Sequence, residues 1–442
     1  MSKPQRERRQ EAHARKRASA QPAAPLASSL PGAIVSRRAA DRLRSGQVWV
    51  YASDVESLPW SDTGADAAPA LIPVADARGL LLGTALYSPH SLIALRMVAR
   101  EILDEAAWLK LLNARLRRAI ARRKPLLNPE NDACRLCFSE ADELPGLIAD
   151  KYGSLVILQF LTKGLFAAGV RETCVQVLRE ELAAGQLLAI VERPDPRIRE
   201  IEGLPAPETE PLWAAETFRG QVPRVQFHLN GLVFHFDANA GQKTGAFLDQ
   251  RANYAAAREW ARQLGATGRA LDVFCYQGGF ALHLAQTCAR ATGIDASRAS
   301  LEVAEQNLAA NRGRVGAQVD WIEGDAFAIL RDWSDAGEKF DAIVLDPPAF
   351  AKTKRAVEGA LRGYKELNLR ALKMLRPGGL LFTCSCSHHV GWADLEGAVA
   401  AAAADAQRRV RLRERRGAAP DHPVILTLPE SEYLKCLVLE VE

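Results

Sequence analysis

Apolar positions along the chain fall into successive regimes. Residues 1–30 hold few of them before 25–30 and read as disordered. Between 33 and 100 they come in short runs at 47–52, 71–76, 80–87 and 91–97, with Gly and Pro between, which predicts a small, mostly β module. At 103–123 the spacing turns helical. Leu109, Leu112, Leu116 and Ile120 share one face, and Arg115, Arg117, Arg118, Arg122 and Arg123 occupy the others. Strands at 146–150 and 155–160, a helix near 168–184 and a strand at 187–192 complete an α+β unit, loosened at its end by the Pro-rich stretch 204–211. From about 225 onward, strands at 270–275, 291–295, 318–323, 342–346, 380–386 and 434–440 alternate with helical stretches. That alternation predicts an α/β fold, a parallel sheet covered by helices on both faces, with the last strand as an antiparallel edge. The expected division is a tail at 1–30, a β-rich domain at 31–101, an α+β domain at 102–226 and an α/β domain at 227–442.

Composition adds a class. The 442 residues are 48% hydrophobic and 25% charged, as in soluble globular proteins. No apolar run approaches the roughly 20 residues that span a bilayer, so no membrane partner is expected. The N-terminus lacks the apolar core of a secretory signal, which places the protein in the cytoplasm and its eight cysteines in the thiol form.

The net charge of +4 conceals an asymmetry. Residues 1–21 hold seven Lys or Arg against two Glu, whereas the rest of the chain holds 50 basic and 51 acidic residues. The tail can attract phosphate nonspecifically, but a nucleic-acid surface on the body has to be a local patch. Arg409, Arg411, Arg413 and Arg415 would share one face of a strand, with Val410 and Leu412 packed on the other. The helix face with Arg115, Arg118 and Arg122 is a second candidate.

Candidate chemistry gathers at the ends of the α/β strands. In ALDVFCYQGGF (270–280) a buried strand runs through a glycine turn into a helix, and Gly278 and Gly279 let backbone approach a ligand. Asp295 ends the next strand, 23 positions after Asp272, where an acid can bind a ribose diol. The full G-x-G-x-x-G of a pyrophosphate site is absent, which favours a nucleoside ligand and disfavours a nicotinamide oxidoreductase. In GDAF (324–327), Asp325 can accept from an adenine amino group and Ala326 can offer its N–H, although an Asp at this place also reads as a helix cap. In FDAIVLDPPAF (340–350), Asp346 sits at the carboxyl end of a buried strand, before two prolines and Phe350, which can pack on a planar ring. In LLFTCSCSHHV (381–390), Cys384 and Cys386 share a face, and Cys386 lies nearer the ligand side, where a thiolate can attack an electrophilic carbon. Cys386 is therefore the catalytic candidate and Cys384 a packing residue. Cys134 and Cys137 form an isolated C-x-x-C that also reads as packing, and no metal site is expected.

These motifs bring the chain to a family. With QVWVYASDV, GTALYSPHSLIALR, EADELPGLIADKYG, GQKTGAFLDQR, DPPAF, SCS and the ending DHPVI…EYLKCLVLEV, it resembles the bacterial 23S ribosomal RNA cytosine-5 methyltransferases that carry an N-terminal PUA-like domain. The resemblance implies a Rossmann-like class I methyltransferase domain, preceded by a small β-rich PUA-like domain and an α+β middle domain. It implies S-adenosyl-L-methionine as cofactor and 23S ribosomal RNA as partner. Donor contacts would come from Gln250, Arg251, Asp272, Phe274, Tyr276, Gly278, Asp295, Asp325, Ala326 and Asp346. It places the nucleophile at Cys386 and Asp346 against the target base. DPPAF carries no cysteine, so the base that removes the C5 proton is not identified. Two other readings stand beside this one. Methylation of an exocyclic amino group of adenine or guanine would need no thiol, and a noncatalytic RNA-binding assembly factor would need none of the acids.

Overall fold

The computed structural model describes residues 32–59, 69–182, 187–204, 210–218, 224–237 and 246–442. The basic tail and the start of GQKTGAF lie outside them. The chain forms two compact units. One is Met1–Leu111 with Thr162–Ala168 and Ile198–Leu204; the other is Leu112–Leu161, Gly169–Arg197 and Pro205–Glu442.

The first unit is built on β1 (Ala33–Val35), β2 (Trp49–Tyr51), β3 (Val55–Ser57), β4 (Leu71–Asp76), β5 (Leu81–Tyr87) and β6 (Ile93–Ala99), in the order β2-β6-β5-β4-β1-β3. Helix α1 (Arg37–Arg44) starts at Ser36, whose hydroxyl accepts the Ala39 N–H at 3.2 Å. It buries Ala39, Ala40 and Leu43 against Val50, Ile72, Val74 and Leu95 of the sheet.

Helix α2 (Glu105–Arg123) begins in the first unit and continues into the second, where it buries Leu112, Leu116 and Ile120, the stripe the spacing predicts. Next come β7 (Ala133–Phe138), β8 (Leu147–Tyr152), β9 (Leu155–Phe160), α3 (Val170–Glu181), β10 (Ala189–Glu192), the short α4 (Pro196–Glu202), most of which belongs to the first unit, and β11 (Trp213–Ala214). Strands β11-β10-β9-β8-β7 make one sheet. A bulge in β7 between Arg135 and Cys137 breaks the alternation, so that Cys134 and Cys137 are both buried, as packing thiols are. Strands β12 (Arg224–Leu229) and β13 (Leu232–Asp237) form a hairpin whose turn residues, Asn230 and Gly231, take φ of +52° and +81°.

The larger sheet follows with α5 (Arg251–Gln263), β14 (Arg269–Val273), α6 (Gly279–Leu284), β15 (Arg290–Asp295), α7 (Arg298–Ala310), β16 (Gln318–Glu323), α8 (Ala326–Asp335), β17 (Phe340–Leu345), α9 (Val357–Met374), β18 (Leu375–Ser385), α10 (Trp392–Asp405), β19 (Val410–Arg416) and β20 (Lys435–Val441). Its order is β16-β15-β14-β17-β18-β20-β19, parallel except for β20, which runs antiparallel to both neighbours. Successive residues of β17 serve opposite cores. Ala342 and Val344 join Tyr254 of α5 and Phe280 of α6, while Ile343 and Leu345 join Tyr364 and Leu367 of α9. Helices therefore cover both faces, as expected.

The last strand departs from expectation, because β20 is not the edge. Cys436 to Leu439 are buried on both faces and need a neighbour on each side, so the charged β19 pairs outside them. A bulge between Leu412 and Glu414 also ends the predicted alternation in β19. Val410 packs on the core, but Leu412 is 41% exposed.

Candidate active site

The turn from β14 to α6 is unusual backbone. Phe274 and Tyr276 take φ of +65° and +51° without being glycine, and Gly278 takes +82°. Each non-glycine residue in this region costs on the order of 1–3 kcal/mol, which the surroundings must offset. Asp295, at the end of β15, does part of this. Its Oδ2 accepts the Tyr276 N–H at 2.9 Å, and its Oδ1 accepts the Ser297 N–H at 2.9 Å. Below the turn, the buried Asp272 accepts the Ala281 N–H at 2.8 Å through Oδ2, while its Oδ1 has no protein partner. Burial pushes this carboxyl up to about 8, against the pull of the Ala281 N–H and with added repulsion from Asp346 and Asp295. The two glycines serve packing. A Cβ on Gly278 would strike the Trp321 ring, and one on Gly279 would strike Tyr254.

One strand farther out, Asp325 caps α8, accepting the Ala328 N–H at 2.8 Å through Oδ1. It is exposed, and Ala326 beside it is buried. The cap reading of this aspartate therefore holds, and its second oxygen is left for another donor.

Asp346 follows β17 and is half-buried. Its N–H donates to the Val273 carbonyl at 3.2 Å, and its Oδ2 accepts Gln250 Nε2 at 3.0 Å. Cys386 follows β18, half-buried, with Sγ 3.8 Å from the carbonyl oxygen of Pro347. Thiol and carboxylate thus stand at the same Asp-Pro-Pro loop. Cys384 is fully buried, its sulfur 3.0 Å from that of Cys436 across the β18–β20 pair, and burial drives its pKa well up.

The serines flanking Cys386 are held from below. Ser385 Oγ donates to Tyr364 OH at 2.8 Å, and Tyr364 OH lies 3.1 Å from Ser387 Oγ. Ser387 Oγ accepts the Ala351 N–H at 3.2 Å. Lys435, buried on β20, donates from Nζ to the carbonyls of Ser387 and Tyr433, both at 3.1 Å.

Residues 210–431 match the family described as S-adenosylmethionine-dependent methyltransferase, and residues 33–100 match the PUA-like domain. A ribosomal RNA large subunit methyltransferase I of Shewanella denitrificans is 36% identical over 398 residues, covering 89% of this chain and 95% of its own. One from Erwinia tasmaniensis is 36% identical over 393 residues, covering 88% and 93%. The chain belongs to the ribosomal RNA large subunit methyltransferase I family.

The cofactor of this family member is S-adenosyl-L-methionine, and its fold is the Rossmann-like methyltransferase fold behind a PUA-like domain. The solved structure of SMU.776, complexed with SAH, shares the fold at a TM-score of 0.74 and 18% identity, covering 93% of this chain and 100% of that one.

Several of the residues singled out from the sequence have partners within the fold. The Arg251 guanidinium is buried, donating to the Ala133 carbonyl at 2.9 Å and pairing with Asp421 at 3.2 Å. The Gln250 side chain serves Asp346 and accepts from Asn253 Nδ2 at 2.6 Å. Both basic clusters make ion pairs within the fold, with fewer acids than arginines in each. Arg409 and Arg411 pair with Glu442, Arg413 with Glu440 and Arg415 with Glu396. Arg115 and Arg118 share Glu143, and Arg122 faces Asp142. Tyr364, Ser385, Ser387 and Lys435 were missed by sequence reasoning. The alternation Cys-Ser-Cys-Ser was the available signal for the serines, since residues between two cysteines on one face must point to the other.

Proposed function

We propose that this methyltransferase forms 5-methylcytosine in the 23S ribosomal RNA of the large subunit, with Cys386 as nucleophile. The observation that supports the reading best is the pairing of Cys386 Sγ, 3.8 Å from the Pro347 carbonyl, with Asp346, fixed next to it by Gln250. The relatives named above are ribosomal RNA large subunit methyltransferases, which favours RNA as the acceptor.

The residues at the strand ends fit S-adenosyl-L-methionine. Asp272 keeps an unpartnered buried oxygen suited to a cationic group. Each Asp295 oxygen takes one N–H and keeps a lone pair for a ribose hydroxyl. Asp325 and the Ala326 N–H stand where adenine edges can be read, and the backbone from Phe274 to Gly278 lines the turn between them. When bound, the cofactor supplies an electrophilic methyl group on a sulfonium.

Cytosine C5 is too weak a nucleophile to take that methyl unaided. The Cys386 thiolate adds to C6, and the C5–C6 π electrons move to C5. Asp346 hydrogen-bonds the base edge and stabilises its protonated form. C5, made nucleophilic in this way, would be the atom that takes the methyl group which the bound donor would supply. Loss of the C5 proton then restores the C5–C6 double bond and expels the thiolate. The target base must leave any stack to reach the pocket, at a cost of a few kcal/mol when paired.

RNA containing 5-fluorocytosine tests this, since its C5 fluorine cannot leave as a proton does. A covalent adduct should accumulate with wild type and with Cys384→Ser, and disappear with Cys386→Ser. Methylation of an exocyclic nitrogen would give no adduct in any of them.

A further inference from the structure

The two basic clusters legible in the sequence are tied up in ion pairs, which raises the question of what else on the body meets a polyanion. The segment after Asp-Pro-Pro-Ala-Phe reads Ala351-Lys352-Thr353-Lys354-Arg355. Lys352, Lys354 and Arg355 are all exposed, and none makes an ion pair or side-chain hydrogen bond among the described residues. The nearest acid along the chain, Glu358, is taken by Arg362 at 2.6 Å.

Three cations within four residues repel one another, and among the described residues no acid offsets that repulsion. Their place is informative. The loop is rooted at Ala351, whose N–H is held by Ser387 Oγ, the residue next to Cys386. Lys352 follows at one Cα–Cα step, about 3.8 Å. The cations therefore begin at the mouth where thiol and carboxylate meet. Beside them runs an open groove of about 530 Å³ between α8 and α9, lined by Phe327, Phe350, Arg355, Gly359 and Gly363. Phe350 is wedged there between Tyr364 and Phe327, with ring centroids 5.0 and 6.0 Å away.

A base extruded into the pocket drags its own strand across this mouth. Cations that follow a backbone, next to aromatic faces, are the equipment for single-stranded nucleic acid. We infer that Lys352, Lys354 and Arg355 hold the phosphates flanking the target nucleotide, and that the groove between α8 and α9 receives a neighbouring base. This rests on the RNA reading above but is independent of which base atom is methylated.

The test is the salt dependence of binding to transcribed 23S ribosomal RNA, followed by fluorescence anisotropy. Each single-strand phosphate contact contributes about 0.7 to the log–log slope, so Lys352→Gln with Lys354→Gln and Arg355→Gln should lower it by roughly 2. Arg411→Gln with Arg413→Gln should keep the wild-type slope, and donor affinity by calorimetry should be unchanged in both variants. A triple variant with the wild-type slope would overturn the loop's role and leave the RNA reading standing. A triple variant that loses donor affinity would overturn it too, by assigning the loop to the donor site. Wild-type protein without salt-dependent RNA binding would overturn both this inference and the RNA reading.

Discussion

Gln250 and Asp346 are joined side chain to side chain, Nε2 to Oδ2 at 3.0 Å, although 96 positions separate them. Gln250 is itself held by Asn253, which accepts Arg416 Nε at 2.8 Å. The rim of the sheet thus orients the carboxylate through two amides. Gln250→Leu keeps the bulk and removes the donor. A hydrogen bond to a charged group is worth about 1.5–3 kcal/mol, so kcat should fall roughly ten- to a hundredfold while donor affinity stays at wild type. A fall in donor affinity with kcat intact would instead make Gln250 a donor ligand.

The Lys435 ammonium is buried behind the nucleophile, gripping the peptide carbonyl of Ser387. Burial lowers its own pKa, against the attraction of Glu432, Cys386 and Asp394. A cation facing a thiol favours the thiolate. Lys435→Met should therefore slow alkylation of Cys386 by iodoacetamide at neutral pH. Lys435→Arg should restore most of the rate. Equal slowing in both variants would reduce Lys435 to a structural strut.

Asp272 gives donor binding a pH dependence. Its carboxyl is raised to about 8 by burial, so in the donor-free protein it holds a proton at neutral pH. A cationic ligand favours the ionised form, and binding below about pH 8 must release that proton. Donor affinity should accordingly rise with pH up to about 8 and then level off, with proton release visible in calorimetry across buffers of different ionisation heat. Asp272→Asn should flatten the profile. The sign for folding is opposite to the usual carboxylate, because the donor-free fold takes up a proton and loses stability as pH rises from about 4 to about 8.

Arg251, at the start of α5, and Asp421, in the segment between β19 and β20, are tied to β7 of the five-stranded sheet. Asp421 is fully buried, and its Oδ2 accepts the Arg135 N–H at 2.8 Å while its Oδ1 faces Arg251. Arg123 adds a bond to the Asp421 carbonyl at 3.1 Å while forking onto Asp142 at 2.6 and 2.7 Å. Removing one partner of a buried pair strands the other charge, typically at about 3–5 kcal/mol. Arg251→Met should show a loss of that size in urea unfolding, with unchanged donor affinity in the fraction still folded.

Much of the parallel sheet was legible because buried strands between helices leave unmistakable apolar runs, as at Phe340–Leu345. The hairpin of β12 and β13 was not, although Asn230-Gly231 between two alternating runs is its own signal. At the site, Cys386 and Asp346 could be chosen from their place at strand ends, a property of local pattern. Arg251 could not be placed, because its partners Ala133 and Asp421 lie far away in sequence and only the folded chain shows them together. The acids opposite the β19 arginines were hidden for a similar reason, since a charge count carries no information about which glutamates stand opposite.

Those same arginines have another consequence. β19 closes one side of the larger sheet, and its outer backbone N–H and C=O groups are open to any strand that would add itself there. An incoming strand would have to cover Arg411, Arg413, Glu414 and Arg415, each already engaged with an acid or base of this chain. Burying such pairs costs more than an extra row of backbone hydrogen bonds returns. The charged row on β19 therefore disfavours the addition of a further strand at this edge of the sheet.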